Sequence, residues 1–117
     1  MEDRYDARKK GRIGLPKAPL QHMSKLNWKD IRWLRKQTKL PIIIKGVMNL
    51  SDAQKSFKNG ADIIWVSNHG GRVLDSGISS LEALIKIRKK IKNKQIIFDS
   101  GIRTGTDIFK AICLGAD

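Results

Sequence analysis

Three short apolar runs, Ile42-Ile43-Ile44, Ile63-Ile64-Trp65-Val66 and Ile96-Ile97-Phe98, constrain this chain more than any other feature, because each is followed by a polar, glycine-bearing turn and then a helix start. Runs that are apolar at every position belong to strands covered on both faces, as in parallel sheets. The intervening stretches supply the helices. Asn27, with Asp30 three residues on, predicts an N-cap for a helix over about 28–37, in which Trp28, Ile31 and Leu34 form an apolar stripe. Pro41 opens the first strand, which closes at Lys45-Gly46. Ser51-Asp52-Ala53-Gln54 reads as a capping box for a second helix, which Asn59-Gly60 ends by supplying a left-handed residue. Ser79-Ser80-Leu81-Glu82 starts a third, carrying Leu81, Leu84, Ile85, Ile87 and Ile91. Ile108, Ala111, Ile112 and Leu114 mark a last one, with Gly115 past its end.

Successive strand-loop-helix units with short connections predict an α/β fold with a parallel sheet and right-handed crossovers. Three such parallel βα units amount to part of a TIM (β/α)8 barrel. Residues 1–25, broken by Gly11, Gly14, Pro16 and Pro19, read as a loop or arm, leaving 26–117 as the partial barrel domain. Gly60-Ala61-Asp62 leads into a strand and recurs as Gly115-Ala116-Asp117, where the pattern calls for another strand. A whole barrel needs roughly 250 residues, and this chain has 117. Three strands cannot close, so exposed edges and apolar faces are expected, and with them self-association or dependence on a complementing chain.

The charge balance narrows the partners only partly. Twenty-four Lys and Arg against 11 Asp and Glu give +13, which attracts polyanions: nucleic acid, an anionic membrane surface or phosphate-bearing ligands. Arg88-Lys89-Lys90 and Lys92-Asn93-Lys94 fall near a predicted helix C-terminus, where cations suit the dipole and stay solvated. Three Phe, three Trp and one Tyr, with no basic-aromatic stacking pattern, argue against a nucleic-acid-binding module. A lone cysteine, Cys113, allows no internal disulfide. No apolar run approaches the roughly 18 residues of a membrane span, and the acidic, polar start lacks a signal-peptide core. A cytoplasmic location is the expectation.

The polar groups sit where the strands end, and in parallel α/β folds that end binds ligands. Lys45 closes the first strand; an ammonium there needs an anion or a polar cofactor to meet it. Ser67-Asn68-His69-Gly70-Gly71-Arg72-Val73-Leu74-Asp75 follows the second. His69 has the chemistry of a general base, although a lone histidine is often structural. Arg72 can hold a carboxylate in a bidentate fork or simply pair with Asp75. After the third strand, Asp99 to Gly105 combine glycines, the Arg103 charge and a helix N-terminus, which suits a phosphate, though such turns also serve merely to reverse the chain.

Leu40 to Val47, Ser67 to Asp75 and Asp99 to Asp107, in this order and spacing, resemble the FMN-dependent 2-hydroxy-acid dehydrogenase and oxidase family, with Asn27 to Asp30 similar to the segment before its fifth strand. Arg4-Tyr5, Ile78-Ser79-Ser80 and Asp99-Ser100-Gly101 are most similar to its bacterial L-lactate dehydrogenase branch. The resemblance implies strands five to seven of the barrel, FMN as cofactor, and oxidation of a small 2-hydroxy acid, L-lactate to pyruvate. It assigns His69 as the base that takes a proton from the substrate, and Arg72 and Arg4 as ligands of the substrate carboxylate. Lys45 would lie beside the flavin, and Asp99, Ser100, Gly101, Ile102, Arg103, Thr104 and Gly105 along the FMN ribityl chain and phosphate; no metal is called for. It also implies attachment to the inner face of the bacterial membrane. Val73 departs from the family's glutamine, the groups of the first four strands are absent, and so is a second phosphate-binding Gly-Arg. The alternatives are an inactive fragment of the family and a basic nucleic-acid-binding module.

Overall fold

The computed structural model describes residues 26–117; the 1–25 arm and Arg4 lie outside them. Helix α1 (Trp28–Gln37) starts as its cap predicts. The Asn27 side chain accepts from Lys29 N at 2.9 Å, and Asp30 reaches back to Asn27 N at 2.7 Å. Strand β1 (Ile43–Val47), helix α2 (Leu50–Lys58), strand β2 (Ile63–Val66), a 3-10 turn (His69–Gly71), helix α3 (Ser80–Arg88), strand β3 (Gln95–Phe98) and helix α4 (Gly105–Cys113) follow.

The strands form one parallel sheet in the order β1-β2-β3, with Lys45 opposite Trp65 and Trp65 opposite Ile97. Because side chains alternate across a strand, Val47, Ile64, Val66 and Ile96 point to one face, where Ala53, Ala83, Leu84 and Ile87 of the helices bury them. The other face carries Ile43, Lys45, Ile63, Trp65 and Ile97, none of them fully buried, and Ile43 is 43% exposed. Among the described residues, helices cover the sheet on one face only.

Two expectations change. The cap of α2 is Asn49, two residues before Ser51: its side chain accepts from Asp52 N and donates to Asp52 Oδ2, both at 2.8 Å. An amide can serve the Asp52 backbone and carboxylate together; a hydroxyl at Ser51 has no such pair. The apolar stripe of α1 buries none of its residues, and Leu34 is exposed. That helix is held instead by polar contacts, Arg32 with Asn59 and Arg35 with Asp62.

The Gly-Ala-Asp repeat is a repeat of structure as well. Gly60 and Gly115 have φ of +104° and +103°, which glycine tolerates best, and the side chains of Arg35 and Arg88 pack over them. Asp62 accepts from Arg35 and from Ile42 N beside β1; Asp117 accepts from Arg88 and from Ile96 N in β3. Each aspartate amide in turn donates to the carbonyl of the same partner, Ile42 or Ile96. Arg88 is therefore half of a joint, with its side chain 16% exposed, rather than one more solvated cation of the basic run.

Candidate functional site

The three strand ends converge. Lys45 Nζ donates to Ser67 Oγ at 3.1 Å, lies 4.0 Å from the centroid of the Trp65 ring and pairs with Asp99. Its side chain is 40% exposed, so the ammonium is not buried; Asp99 is the anion that meets it. Ser67 is fully buried, and its Oγ also accepts from His69 N at 3.2 Å. Ser100 Oγ accepts from Gly70 N at 3.1 Å and donates to Asp99 Oδ1 at 2.9 Å, while Ser80 Oγ donates to Ser100 O at 3.2 Å. One hydrogen-bonded network thus ties the β1, β2 and β3 ends together.

Partial burial alone would raise the Asp99 pKa. Hydrogen bonds from Lys45, Ser67 and Ser100, with the Lys45 charge, outweigh it and hold the carboxyl below the ordinary carboxylate value. Asp99 is ionised at neutral pH, opposite a cation.

His69 stands at the start of three successive left-handed residues, with φ of +56°, +71° and +72° through Gly71. Asn68 closes that turn by accepting from Gly71 N at 3.1 Å. A non-glycine residue in this region is uncommon, and such residues gather at functional sites. Beside the imidazole lies a cavity of about 400 Å³, lined by Gly46, Met48, Ser67, His69, Leu74 and Ile78 among others. Arg72 is exposed and donates from Nε to His69 O at 3.0 Å. Among the described residues it makes no ion pair with Asp75.

At the third strand end, Arg103 is exposed and its side chain has no ion-pair partner among the described residues. A Cβ added at Gly101 or Gly105 would meet nothing within 4 Å, so space lies open beside that segment. Ile102 is 37% exposed. Thr104 caps α4 in a capping box with Asp107, whose Oδ2 also accepts from Arg103 N at 3.1 Å and Thr104 N at 2.9 Å. Two amides that could have faced an anion therefore serve Asp107. What remains for a phosphate is the Arg103 side chain and the open glycine surface.

Sequence reasoning passed over Gly46, Trp65 and Ser67. Trp65 meets Lys45 through strand register, and its Nε1 is buried without a hydrogen-bond partner among the described residues. Ser67 lies inside the stretch Ser67 to Asp75 as its first residue, with no role of its own assigned to it.

Comparison with known proteins gives these features a setting. A family model described as FMN-dependent dehydrogenase matches residues 6–117. An L-lactate oxidase of Lysinibacillus sphaericus is 50% identical over 93 residues, which are 79% of this chain and 24% of that protein. A 2-hydroxyacid oxidase of Dictyostelium discoideum is 48% identical over 93 residues, with the same shares of 79% and 24%. Among solved structures, the monotopic membrane protein (S)-mandelate dehydrogenase superposes with a TM-score of 0.76 at 40% identity, over 86% of this chain and 27% of that one. The chain spans about a quarter of the length of the curated relatives it matches.

Proposed function

Since this chain belongs to the FMN-dependent dehydrogenase family, whose members oxidise 2-hydroxy acids with FMN, we propose that residues 26–117 are a partial domain supplying one side of such a site, with L-lactate as substrate. The observation that carries this reading is the meeting of Lys45, Ser67, His69 and Asp99 at one end of the sheet. The fold is three parallel βα units of a TIM (β/α)8 barrel, about strands five to seven. The choice of lactate rests on the branch-like motifs and on the printed activity of the Lysinibacillus relative; mandelate, named in the structural neighbour, is the competing substrate.

The residues fit the cofactor. Lys45 offers a partly exposed ammonium, Asp99 and Ser100 offer polar groups, and Gly101 to Gly105 with Arg103 offer open space and an exposed cation for a phosphate. Bound FMN would accept the electron pair that leaves the substrate. His69 takes the proton from the hydroxy acid, and Arg72 holds its carboxylate, with Arg4 as a second carboxylate ligand. Binding the carboxylate fixes which substrate atoms face the imidazole. Catalysis requires the remaining barrel units, supplied by a complementing chain or a longer protein.

We assign the basic chain to the inner membrane surface as a peripheral protein. Among the described residues no helix is long and apolar enough to cross a membrane. Vesicles of anionic lipid should retain it in a salt-dependent way; equal retention by neutral vesicles would remove this assignment.

An FMN titration followed by flavin fluorescence tests the main reading. Saturable quenching, weakened at least tenfold in Lys45→Ala and in Arg103→Ala, is expected, and, once the remaining barrel units are supplied, reduction of the flavin by L-lactate in preference to mandelate would support the substrate. Absence of binding would leave the chain an inactive fragment of the family.

A further inference from the structure

We propose that Gly46 is a positioning residue for His69: it is the bare surface against which the imidazole rests, and it seats the base from the strand that carries Lys45. The inference deepens the reading of His69 as the base, and it stands on three observations. A Cβ placed on Gly46 would lie 3.0 Å from His69 Nε2 and 3.8 Å from its Cε1, so the ring faces the glycine in near contact and a methyl group would push the ring nitrogen away. Gly46 has φ of +92°, and the β1–β2 register slips between Lys45 and Val47. The glycine is thus a bulge inserted between Lys45 and the strand's last residue, and bulges of this kind re-aim a side chain beside a site. Both residues line the 400 Å³ cavity, so a displaced ring would change its shape and the nitrogen presented to it.

The arrangement makes one backbone position serve two groups. Lys45 points to the sheet face that no described helix covers, over Trp65 and toward Asp99, while the next residue turns the chain and leaves a hollow that His69 fills. A side chain at position 46 would lie where the imidazole rests. His69 is also fixed through its own backbone, by Ser67 Oγ on its amide and Arg72 Nε on its carbonyl. Those bonds hold the main chain; Gly46 sets the ring.

The test is nuclear magnetic resonance on the full chain without flavin, in a His22→Gln background so that His69 is the one imidazole. A cross-relaxation contact between a Gly46 Hα and His69 Hε1 is expected in this parent. Gly46→Ala should move the His69 Hε1 resonance by several linewidths while the amide dispersion of the sheet persists. Gly60→Ala, which carries the same penalty of an alanine at positive φ but touches Arg35, should leave that resonance in place. Absence of the parent contact, an unmoved resonance in Gly46→Ala, or an equal movement in Gly60→Ala would overturn the proposal. Should Gly46→Ala fail to fold, the parent contact alone decides. No sample contains FMN, so failure to bind flavin leaves this result intact.

Discussion

Lys45 and Asp99 form the one ion pair that joins the ends of two strands among the described residues, and their exposure, 40% and 36%, decides what the pair does. Pairs that open to solvent contribute about 0–1 kcal/mol to stability, and the Trp65 ring beneath the ammonium adds about 0.5–1 kcal/mol. Asp99→Asn should cost no more than about 1 kcal/mol in urea unfolding and Lys45→Met, which also loses the ring contact, no more than about 2 kcal/mol, while Lys45→Met weakens flavin binding. A loss of several kcal/mol would make the pair structural and undercut its assignment to the cofactor. Trp65 adds a second residue-scale case. A buried, unsatisfied donor costs about 1–3 kcal/mol, and Trp65→Phe removes the Nε1 donor while keeping an aromatic face. That variant should unfold at equal or higher urea concentration than the parent.

At the scale of elements, aspartates fasten strand starts and helix caps. Asp62 is held below the ordinary 3.8 by the Ile42 amide and by Arg35, and Asp107 by the Thr104 hydroxyl and the amides of Arg103 and Thr104. At Asp117 burial pushes the pKa up, but the Ile96 amide and Arg88 outweigh it and the value is lowered; Asp99 behaves likewise. Folding favours the charged form of all four. Their stabilisation is complete above the unfolded value, about 3.9, and is lost as pH falls through the lower folded values. These carboxylates should add no slope to thermal stability between about pH 5 and 7, with the melting temperature falling below about pH 4; Asp117→Asn should reduce that fall. The Gly-Ala-Asp joints also differ in exposure. Arg88 donates to the Gly115 and Lys94 carbonyls and to Asp117 from a side chain only 16% exposed, whereas Arg35 is 29% exposed. Arg88→Ala should therefore cost about 2 kcal/mol in urea unfolding, in the range of hydrogen bonds to charged groups, and more than Arg35→Ala.

Over the whole molecule the sheet's second face governs behaviour. Parallel strands are ordinarily covered on both faces, and here no helix among the described residues lies over Ile43, Ile63, Trp65 and Ile97. Ile108, Phe109 and Ile112 of α4 are more than half exposed as well. The purified chain should elute above its 13.2 kDa mass or aggregate, and a compact monomer melting cooperatively would contradict this. The charge of +13 opposes self-association at low salt, so the larger species should grow as salt is added.

The elements were legible because their causes are short-range. Apolar runs, Asn27 and Ser79 as caps, and Gly60 and Gly115 as helix ends act within about four residues, and the residues at those positions settle the outcome locally. The one cap misplaced, Ser51 for Asn49, lay between two competent capping residues, where the contact of Asn49 with both polar groups of Asp52 chose. Family motifs likewise marked Lys45, His69, Arg72 and Asp99 as residues of one site. Tertiary structure alone decided which of them touch. Lys45 and Asp99 are 54 positions apart, and no local pattern states that Ser67 lies between them, that Asp107 takes two amides of the anion turn, or that Gly46 faces His69. Those contacts follow from strand order and register, with a bulge shifting one strand against the next. Register is set by packing of the whole sheet against its helices, a sum over residues distant in sequence that no segment carries within itself.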